Sequence, residues 1–254
     1  MIFDIQKASF GKRISAYLFD VILFAVLAVA LAFGISAITN FDAKYDNLMQ
    51  YYDKYEEKYG ISFDVSTEEY NALSQEQKDV YETAADEFSK DKEVIAAFSL
   101  VVSLTLVITS LGILFAFLIL EFAIPLFLKN GQTLGKKIFG IALVRKDGVK
   151  ISPIALFIRT VLGKYTIETM IPVLMIIMLY FGSISLLGII IIAAVLITQI
   201  VFLIATRNNL AIHDALAATV AVDLSSQMIF ESEEAMIEYK KNVYAEKASQ
   251  QKYF

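Results

Sequence analysis

Long uninterrupted runs of apolar residues constrain this chain more than any other feature of its sequence. The first run extends from Ile14 to Ile38 and the second from Val94 to Leu128. A helix needs about 20 consecutive apolar residues to cross the roughly 30 Å hydrocarbon core of a bilayer. The chain is also 57% hydrophobic, with a mean hydropathy of +0.60, whereas soluble domains are about 45–50% apolar. We therefore predict an α-helical protein that crosses a bilayer several times.

The first run has the polarity of a secretory signal peptide, because Lys12 and Arg13 precede it. It is longer than a signal peptide's apolar region, and Asp20 lies inside it, so we predict an uncleaved span. The second run carries Glu121 near its end and would be about 50 Å long as a straight helix. It must therefore tilt, protrude or kink near Pro125.

Two further spans are predicted as a tight hairpin, from Tyr165 to Phe181 and from Leu186 to Thr206, joined at Gly182-Ser183. Glu168 lies near the start of the third span, and Gln199 lies in the fourth. Because the charge-free part of the third span is short, a re-entrant segment buried by protein is the alternative for that region.

Residues 40–93 contrast with the spans, since they hold 15 acidic and 6 basic residues. Apolar and tyrosine residues recur there at helical spacing, first up to Gly60 and then after Ser66-Thr67-Glu68-Glu69, which reads as a capping box. We predict an acidic helical hairpin that packs on itself in solvent, with a partner-docking surface as the alternative.

The connector after the second span is basic. Ile138 to Val144 is a candidate strand, and Asp147-Gly148 after it predicts a β-hairpin turn. Ser152-Pro153 then reads as the start of a helix from Ile154 to Leu162, which could lie in the interface plane. After Arg207, we predict a short helix with an asparagine cap (Asn208-Asn209) and a short strand. The tail from Ser225 to Phe254 is expected to form a loose amphipathic helix.

Basic residues near the span ends predict the orientation. Lys7, Lys12 and Arg13 precede the first span, eight basic residues lie between Lys129 and Lys164, and Arg207 follows the fourth span. With four spans these all lie on one side, so we expect both termini in the cytoplasm and residues 40–93 outside, in the plasma membrane. The predicted fold is an all-α membrane protein, a four-helix transmembrane bundle with a short cytoplasmic β-hairpin and an extracytoplasmic helical-hairpin insert. Its segments are 1–38, 39–93, 94–128, 129–164, 165–206 and 207–254.

Ionisable residues inside or beside the spans are the candidate functional residues, because an ionisable group in a span needs a partner or a purpose. Arg159, Lys164, Arg207 and His213 are expected near Asp20 as its potential partners. The set could bind a cation or relay protons, or it could be a fully paired cluster that fixes helix packing. The candidates are Arg13, Asp20, Glu121, Arg159, His213 and Asp214.

Several classes of site are excluded by composition. The chain has no cysteine and one histidine, which rules out disulfides, thiolate metal sites and multi-histidine zinc sites. Gly135-Lys136 is not a phosphate loop, since Asn130 stands where that motif needs glycine. No catalytic triad or nucleic-acid motif is present. We therefore expect no enzymatic activity, no cofactor, no metal centre and no nucleic-acid partner.

Taken together, these motifs resemble the RDD family of bacterial membrane proteins, which is named for an arginine and two aspartates. Arg13 and Asp20 match the arginine and first aspartate, Arg159 a following arginine, and Asp214 the second aspartate. The resemblance covers residues 9–38 and 95–223; its connector and closing motifs are Gly131-Gln132-Thr133-Leu134-Gly135-Lys136-Lys137, Asp147-Gly148 and His213-Asp214-Ala215-Leu216-Ala217-Ala218-Thr219-Val220. The long acidic insert departs from the short first loop usual in the family.

The family's function is largely undefined, although cation–proton antiport has been suggested for some members. The resemblance and the intramembrane charges together favour a small sodium–proton transporter. Because four spans make a thin bundle, we expect it to act as a homo-oligomer in the lipid bilayer. The alternative is a membrane adaptor or assembly factor that binds a protein partner through residues 40–93 or the cytoplasmic tail.

Overall fold

The computed structural model describes residues 5–128, 130–180, 182, 185–206 and 210–251. Within these ranges, four helices are long and apolar enough to cross a membrane, as the apolar runs predict. They are Phe10–Thr39, Lys92–Phe127, Pro153–Tyr180 and Leu186–Ala205. Protein leaves much of their apolar surface uncovered, since Ile22 is 64% exposed, Val26 68% and Ile204 77%. Extended apolar surfaces of this kind are suited to contact with lipid.

The chain divides into two compact units, which are described separately. The core unit comprises Met1–Val29 and Ile113–Phe254, and the insert unit comprises Ala30–Gly112. Helix α1 (Phe10–Thr39) starts in the core unit and ends in the insert unit, and α5 (Lys92–Phe117) runs from the insert unit into the core unit.

In the insert unit, α1 is followed directly by α2 (Phe41–Tyr59), with Asn40 between them in the left-handed conformation. Asparagine tolerates this conformation better than most residues. Gly60, at a φ of 64°, ends α2, and its N–H donates to the carbonyl of Glu56. The capping box of Ser66 and Glu69 is confirmed and begins α3 (Thr67–Ala72).

The second helical stretch of the insert, predicted to follow Ser66-Thr67-Glu68-Glu69, consists of two helices. Ser74 and Gln77 form another capping box, which begins α4 (Gln75–Lys90). Helix α4 packs against α2 through aromatic rings, with Phe88 at 4.6 Å from Tyr52 and 5.3 Å from Tyr55 between ring centroids. The residues buried in this unit include Leu48, Tyr55 and Ala84. An insert this acidic thus still has an apolar core of its own.

In the core unit, the second span changes its hydrogen-bonding pattern just before Pro125. After α5, residues Leu118–Ala123 form a π-helical segment, and α6 (Ile124–Phe127) completes the span. Proline has no N–H and cannot donate to the carbonyl four residues earlier. That carbonyl belongs to Glu121, and it accepts a hydrogen bond from the Thr160 hydroxyl at 3.0 Å instead. The span was expected to tilt, protrude or kink near Pro125, and the structure places a π-helical segment just before that proline.

The third span is one continuous helix from Pro153 to Tyr180. It comprises α8 (Pro153–Phe157), a long π-helical segment (Ile158–Met170) and α9 (Ile171–Tyr180). The prediction that a separate interfacial helix ends at Leu162 and a span starts at Tyr165 is therefore wrong. The π-helical segment runs through Gly163 and Lys164, the two residues between the predicted helix and the predicted span. Phe181 and Ser183 of the predicted turn lie outside the described residues.

A two-stranded antiparallel sheet joins distant parts of the core unit. Strand β1 (Ile141–Arg145) pairs with β2 (Thr219–Asp223), and α7 (Leu134–Ile138) precedes β1. The predicted β-hairpin is corrected by this pairing. The turn at Asp147-Gly148 forms, but only an isolated bridge between Val144 and Lys150 continues it. Apolar residues from distant segments, such as Ala8 and Leu210, pack on the two faces of the sheet. The apolar surface buried in this way favours the β1–β2 pairing over the local hairpin.

The last helices of the core unit are α10 (Leu186–Ala205), α11 (Ile212–Leu216) and α12 (Glu233–Gln251). The short helix and strand expected after the fourth span are confirmed as α11 and β2. Their predicted cap at Asn208-Asn209, together with Arg207, lies outside the described residues. The tail is helical from Glu233, and it contacts the sheet region through Arg145, which lies 3.6 Å from Glu233.

Candidate functional site

Ionisable side chains from five elements of the core unit converge on two adjoining cavities, and we call this set the charged cluster. Its members are Arg13, Asp20, Glu121, Lys136, Arg159, Lys164, Glu168, His213 and Asp214.

Asp20 of α1 is held by the connector that follows the second span. The Thr133 hydroxyl donates to Asp20 Oδ2 at 2.5 Å, and the Gly135 N–H donates to Oδ1 at 2.8 Å. A Cβ atom at position 135 would lie 2.4 Å from the carbonyl oxygen of Ala16. Glycine is therefore required for the connector to approach α1 this closely. The partners proposed for Asp20 were arginine, lysine or histidine from other segments, whereas neutral donors bind it directly.

Lys136 lies close to Asp20, with 3.9 Å between Nζ and Oδ2. Its ammonium also donates to the Thr133 hydroxyl at 3.2 Å. Burial lowers the pKa of Lys136 to about 8, although the charge of Glu121 opposes this shift. The side chain therefore carries its proton at pH 7 and loses it in mildly alkaline conditions.

Arg159 and Asp214 form the most deeply buried ion pair of the cluster. Arg159 Nε and Nη2 lie 3.0 and 2.9 Å from Asp214 Oδ1, and each side chain is 3% exposed. The Thr219 hydroxyl donates to the same oxygen at 3.1 Å. Burial alone would raise the pKa of Asp214, but the charge of Arg159, its hydrogen bond and the charge of Arg13 hold it well below its usual value. Asp214 is therefore ionised at neutral pH.

Glu121 and Lys164 form a second buried pair, with 2.6 Å between Lys164 Nζ and Glu121 Oε1. The two side chains are 7% and 13% exposed, respectively. The other carboxylate oxygen, Glu121 Oε2, is buried and has no hydrogen-bond partner. A buried acceptor without a partner is costly, and Glu121 Oε2 therefore retains unused hydrogen-bonding capacity.

Glu168 and Gln199 satisfy the first backbone groups of α11. The N–H of His213 donates to Glu168 Oε1 at 2.9 Å, and the N–H of Ile212 donates to Gln199 Oε1 at 3.1 Å. The His213 ring contacts the same carboxylate, with 2.8 Å between Nδ1 and Glu168 Oε2. Burial lowers the pKa of His213, and the positive charge of Arg159 adds to the shift. His213 is therefore neutral at pH 7 in this arrangement.

The π-helical segment of the third span brings Arg159, Lys164 and Glu168 onto the same cavities. In an α-helix, residues five apart are rotated by about 140° from each other. A π-helix bonds each residue to the fifth along, so Arg159 and Lys164 share a face. Gly163 lies against α11, where a Cβ would be 2.5 Å from His213 Cβ. The π-helical segment thus places three charged side chains at the cavities and brings Gly163 against His213.

The two cavities differ in charge. The larger one, of about 520 Å³, is lined by four cations and three carboxylates: Arg13, Lys136, Arg159, Lys164, Asp20, Glu168 and Asp214. The smaller one, of about 420 Å³, is lined by three carboxylates and one cation: Asp20, Glu121, Glu168 and Lys164. Tyr17, Asp20, Lys164, Glu168 and Gln199 line both, so the cavities adjoin.

Five of the six candidates from the sequence line the larger cavity, namely Arg13, Asp20, Arg159, His213 and Asp214. Glu121 lines the smaller one. The prediction missed Thr133, Gly135 and Lys136 as partners of Asp20, and it did not assign Glu168 to the cluster. In the part of the chain that the structure describes, no three acidic, histidine or cysteine side chains are grouped to hold a metal ion.

Comparison with known families gives one match. A family model described as the RDD family matches residues 7–218. No curated protein and no solved structure matches the chain.

Proposed function

Because the chain belongs to the RDD family of membrane proteins, we propose that it is a small multi-pass transporter that exchanges a monovalent cation, such as sodium, for protons. The smaller cavity is the proposed cation pathway. The observation that carries this proposal is Glu121 Oε2, a buried carboxylate oxygen without a hydrogen-bond partner. It belongs to a cavity in which carboxylates outnumber cations.

Charge balance supports exchange rather than simple uptake. The charged cluster contains four cations (Arg13, Lys136, Arg159 and Lys164) and four carboxylates (Asp20, Glu121, Glu168 and Asp214), with His213 neutral. A net charge in a region of low dielectric constant is expensive. Entry of one cation is therefore favourable when one proton leaves the cluster, which gives an exchange of one for one.

The cation in this proposal binds weakly. Glu121 is the carboxylate that accepts it, after Lys164 moves away. Gln199, Thr169 and Tyr17, whose side chains carry oxygen atoms, line the same cavity. Hard monovalent cations prefer such oxygen ligands. Weak binding is suited to transport, since an ion must leave the pathway as readily as it enters.

The test is proton flux in proteoliposomes that contain a pH-sensitive dye. A sodium gradient should drive proton movement in the wild type, and Glu121→Gln and Asp20→Asn should abolish it. The matched control is Glu231→Gln, which removes a carboxylate of the core unit whose side chain is 79% exposed. Absence of sodium-driven flux in the wild type, or equal flux in Glu121→Gln and Glu231→Gln, would contradict the proposal.

Orientation and assembly are part of the same proposal: four spans in the plasma membrane, both termini in the cytoplasm, and a homo-oligomer. Because the chain has no cysteine, single cysteines can report the orientation. A membrane-impermeant maleimide applied to intact cells should label Asn71→Cys of the insert and should not label Ser226→Cys. The reverse labelling pattern would show that the orientation is the opposite of the one proposed. Cross-linking in native membranes would test the oligomer.

An adaptor or assembly role is a second candidate, and the composition of the insert favours it. Residues 40–93 carry 15 acidic and 6 basic residues, and many of these side chains are exposed. Deletion of residues 42–91 separates the two roles. A transporter retains sodium-driven flux after the deletion, whereas an adaptor loses its co-purifying partner.

A further inference from the structure

The larger cavity has cations in its interior and apolar side chains exposed on the spans beside them. Phe10 and Ile14 of α1 line it together with Leu203 of α10, and they are 77%, 40% and 37% exposed. Arg159 and Lys136 line the same cavity, and their side chains are only 3% and 12% exposed. The cavity therefore offers charge to one end of a ligand and apolar surface to the other.

Hydrogen bonds from the protein already occupy oxygens of each carboxylate in this cavity. Asp20 accepts from Thr133 and Gly135. Glu168 accepts from the backbone N–H of His213 and contacts its ring Nδ1. Asp214 Oδ1 accepts from Arg159 and Thr219. Because these carboxylate oxygens already accept hydrogen bonds from the protein, few acceptors remain for a cation in the larger cavity.

Donor capacity remains on the cationic side. Arg159 engages Asp214 through Nε and Nη2, and its third nitrogen, Nη1, is buried without a hydrogen-bond partner. A guanidinium nitrogen can only donate, so the missing partner must be an acceptor. Planar guanidinium groups are matched to the oxygens of phosphate.

We propose that the larger cavity binds the phosphate of an anionic phospholipid, with Arg159 and Lys136 at the phosphate and the acyl chains beside Phe10, Ile14 and Leu203. This inference is independent of cation transport through the smaller cavity. Four cations against three carboxylates line the cavity, which suits an anion. Basic pockets between membrane helices are a known means of holding such headgroups. A free phosphate ion has no apolar part to cover the exposed residues of α1 and α10.

The experiment measures lipid binding to the full chain purified in detergent, by native mass spectrometry and thermal unfolding. The probes are phosphatidylglycerol, phosphatidylcholine with the same acyl chains, and inorganic phosphate without lipid. Phosphatidylglycerol should bind more tightly and raise the melting temperature more than phosphatidylcholine. Inorganic phosphate should have little effect.

Two neighbouring lysines provide a matched pair of variants, since the Lys136 side chain is 12% exposed and lines the cavity, whereas Lys137 is exposed. Lys136→Gln should weaken phosphatidylglycerol binding about tenfold, the effect of one charge-assisted hydrogen bond. Lys137→Gln should bind as the wild type does. If Lys136→Gln cannot be purified, Arg13→Gln removes another lining cation and should give the same loss.

A pH series separates a direct role of Lys136 from a structural one. Burial lowers the pKa of Lys136 to about 8, in the field of Asp20, Glu121, Arg159 and Lys164. Affinity for phosphatidylglycerol should therefore fall between pH 7 and pH 9 in the wild type, and the fall should be absent in Lys136→Gln.

Equal binding of the two lipids by the wild type would overturn the proposal, as would equal binding by the two lysine variants. Stabilisation by inorganic phosphate equal to that by phosphatidylglycerol would also overturn it, and would instead assign a site for a free anion.

Discussion

The core unit and the insert unit each contain a lysine–glutamate ion pair, which is buried in the core unit and exposed in the insert unit. In the insert unit, Lys58 pairs with Glu87 at 2.6 Å, and the side chains are 53% and 48% exposed. In the core unit, Lys164 pairs with Glu121 at the same 2.6 Å distance, and the side chains are 13% and 7% exposed. Distance alone therefore does not rank these pairs.

The difference teaches that burial, more than geometry, sets what each pair does for the protein. The two charges of an exposed pair interact with water almost as favourably as with each other, and salt screens their attraction, so the pair adds little to stability. A buried pair has lost its water, so removal of one partner leaves a charge without compensation. The core unit is thus held by charges that depend on each other, and the insert unit by its aromatic contacts and caps.

The largest expected effect is loss of Arg159. Arg159→Met leaves Asp214 buried without its main counter-charge, which should lower the free energy of unfolding by about 3–5 kcal/mol. Chemical unfolding of the detergent-purified protein measures this change. The double variant Arg159→Met, Asp214→Leu should recover much of the loss, because it removes both charges. A double variant no more stable than the single one would show that the pair is not the cause.

Overpacking at Gly163 should have the next largest effect. Gly163→Ala places a methyl group 2.5 Å from His213 Cβ, and such overpacking costs about 1–3 kcal/mol. Gly34→Ala is the control in the insert unit, since nothing lies within 4 Å of the added group. That control should stabilise α1 by up to about 1 kcal/mol, from helix propensity. Changes of the same sign in both variants would refute the close contact.

A smaller and local effect is expected at Ser74, which caps α4. Ser74→Ala should cost about 1 kcal/mol and should speed hydrogen exchange at Gln75 to Lys78. The control is Thr83→Ala within the same helix, where the hydroxyl bonds only the carbonyl of Asp79. Exchange in the core unit should be unchanged in both variants. Faster exchange throughout the chain after Ser74→Ala would mean that the two units unfold together.

The smallest effect is expected at Lys58. Lys58→Gln breaks the exposed pair with Glu87 and should produce no measurable change in unfolding, at low or high salt. Lys164→Gln is the comparison in the core unit and should be strongly destabilising at both. Equal losses in the two variants would erase the distinction between the units.

The sequence predicts the spans and most of the candidate site, because hydropathy and isolated charges are local signals. The four helices that are long and apolar enough to cross a membrane, the capping box at Ser66 and the turn at Asp147-Gly148 are all encoded by residues that are close in sequence. The second capping box, at Ser74 and Gln77, has the same kind of signal in Ser-x-x-Gln and was overlooked.

The remaining features depend on contacts that no local pattern contains. The pairing of β1 with β2 joins segments separated by two spans, and it displaced the local hairpin that was predicted. The face that holds Arg159, Lys164 and Glu168 exists only in a π-helix, whereas the prediction assumed the α-helical period. Thr133 and Gly135 were part of a recognised connector motif, but nothing in the sequence indicated that they bind Asp20.

The β1–β2 pairing also has a consequence for biosynthesis. β1 leaves the ribosome before residues 146–218, so its partner is absent until both later spans have been made. At synthesis rates of about 5–20 residues per second, that delay lasts roughly 4–15 s. β2 also pairs with the N-terminal segment, since the N–H of Ala8 donates to the carbonyl of Ala221 at 3.2 Å. The sheet can therefore be completed only after the third and fourth spans have been made, and it joins the segment before the first span to the segment after the fourth.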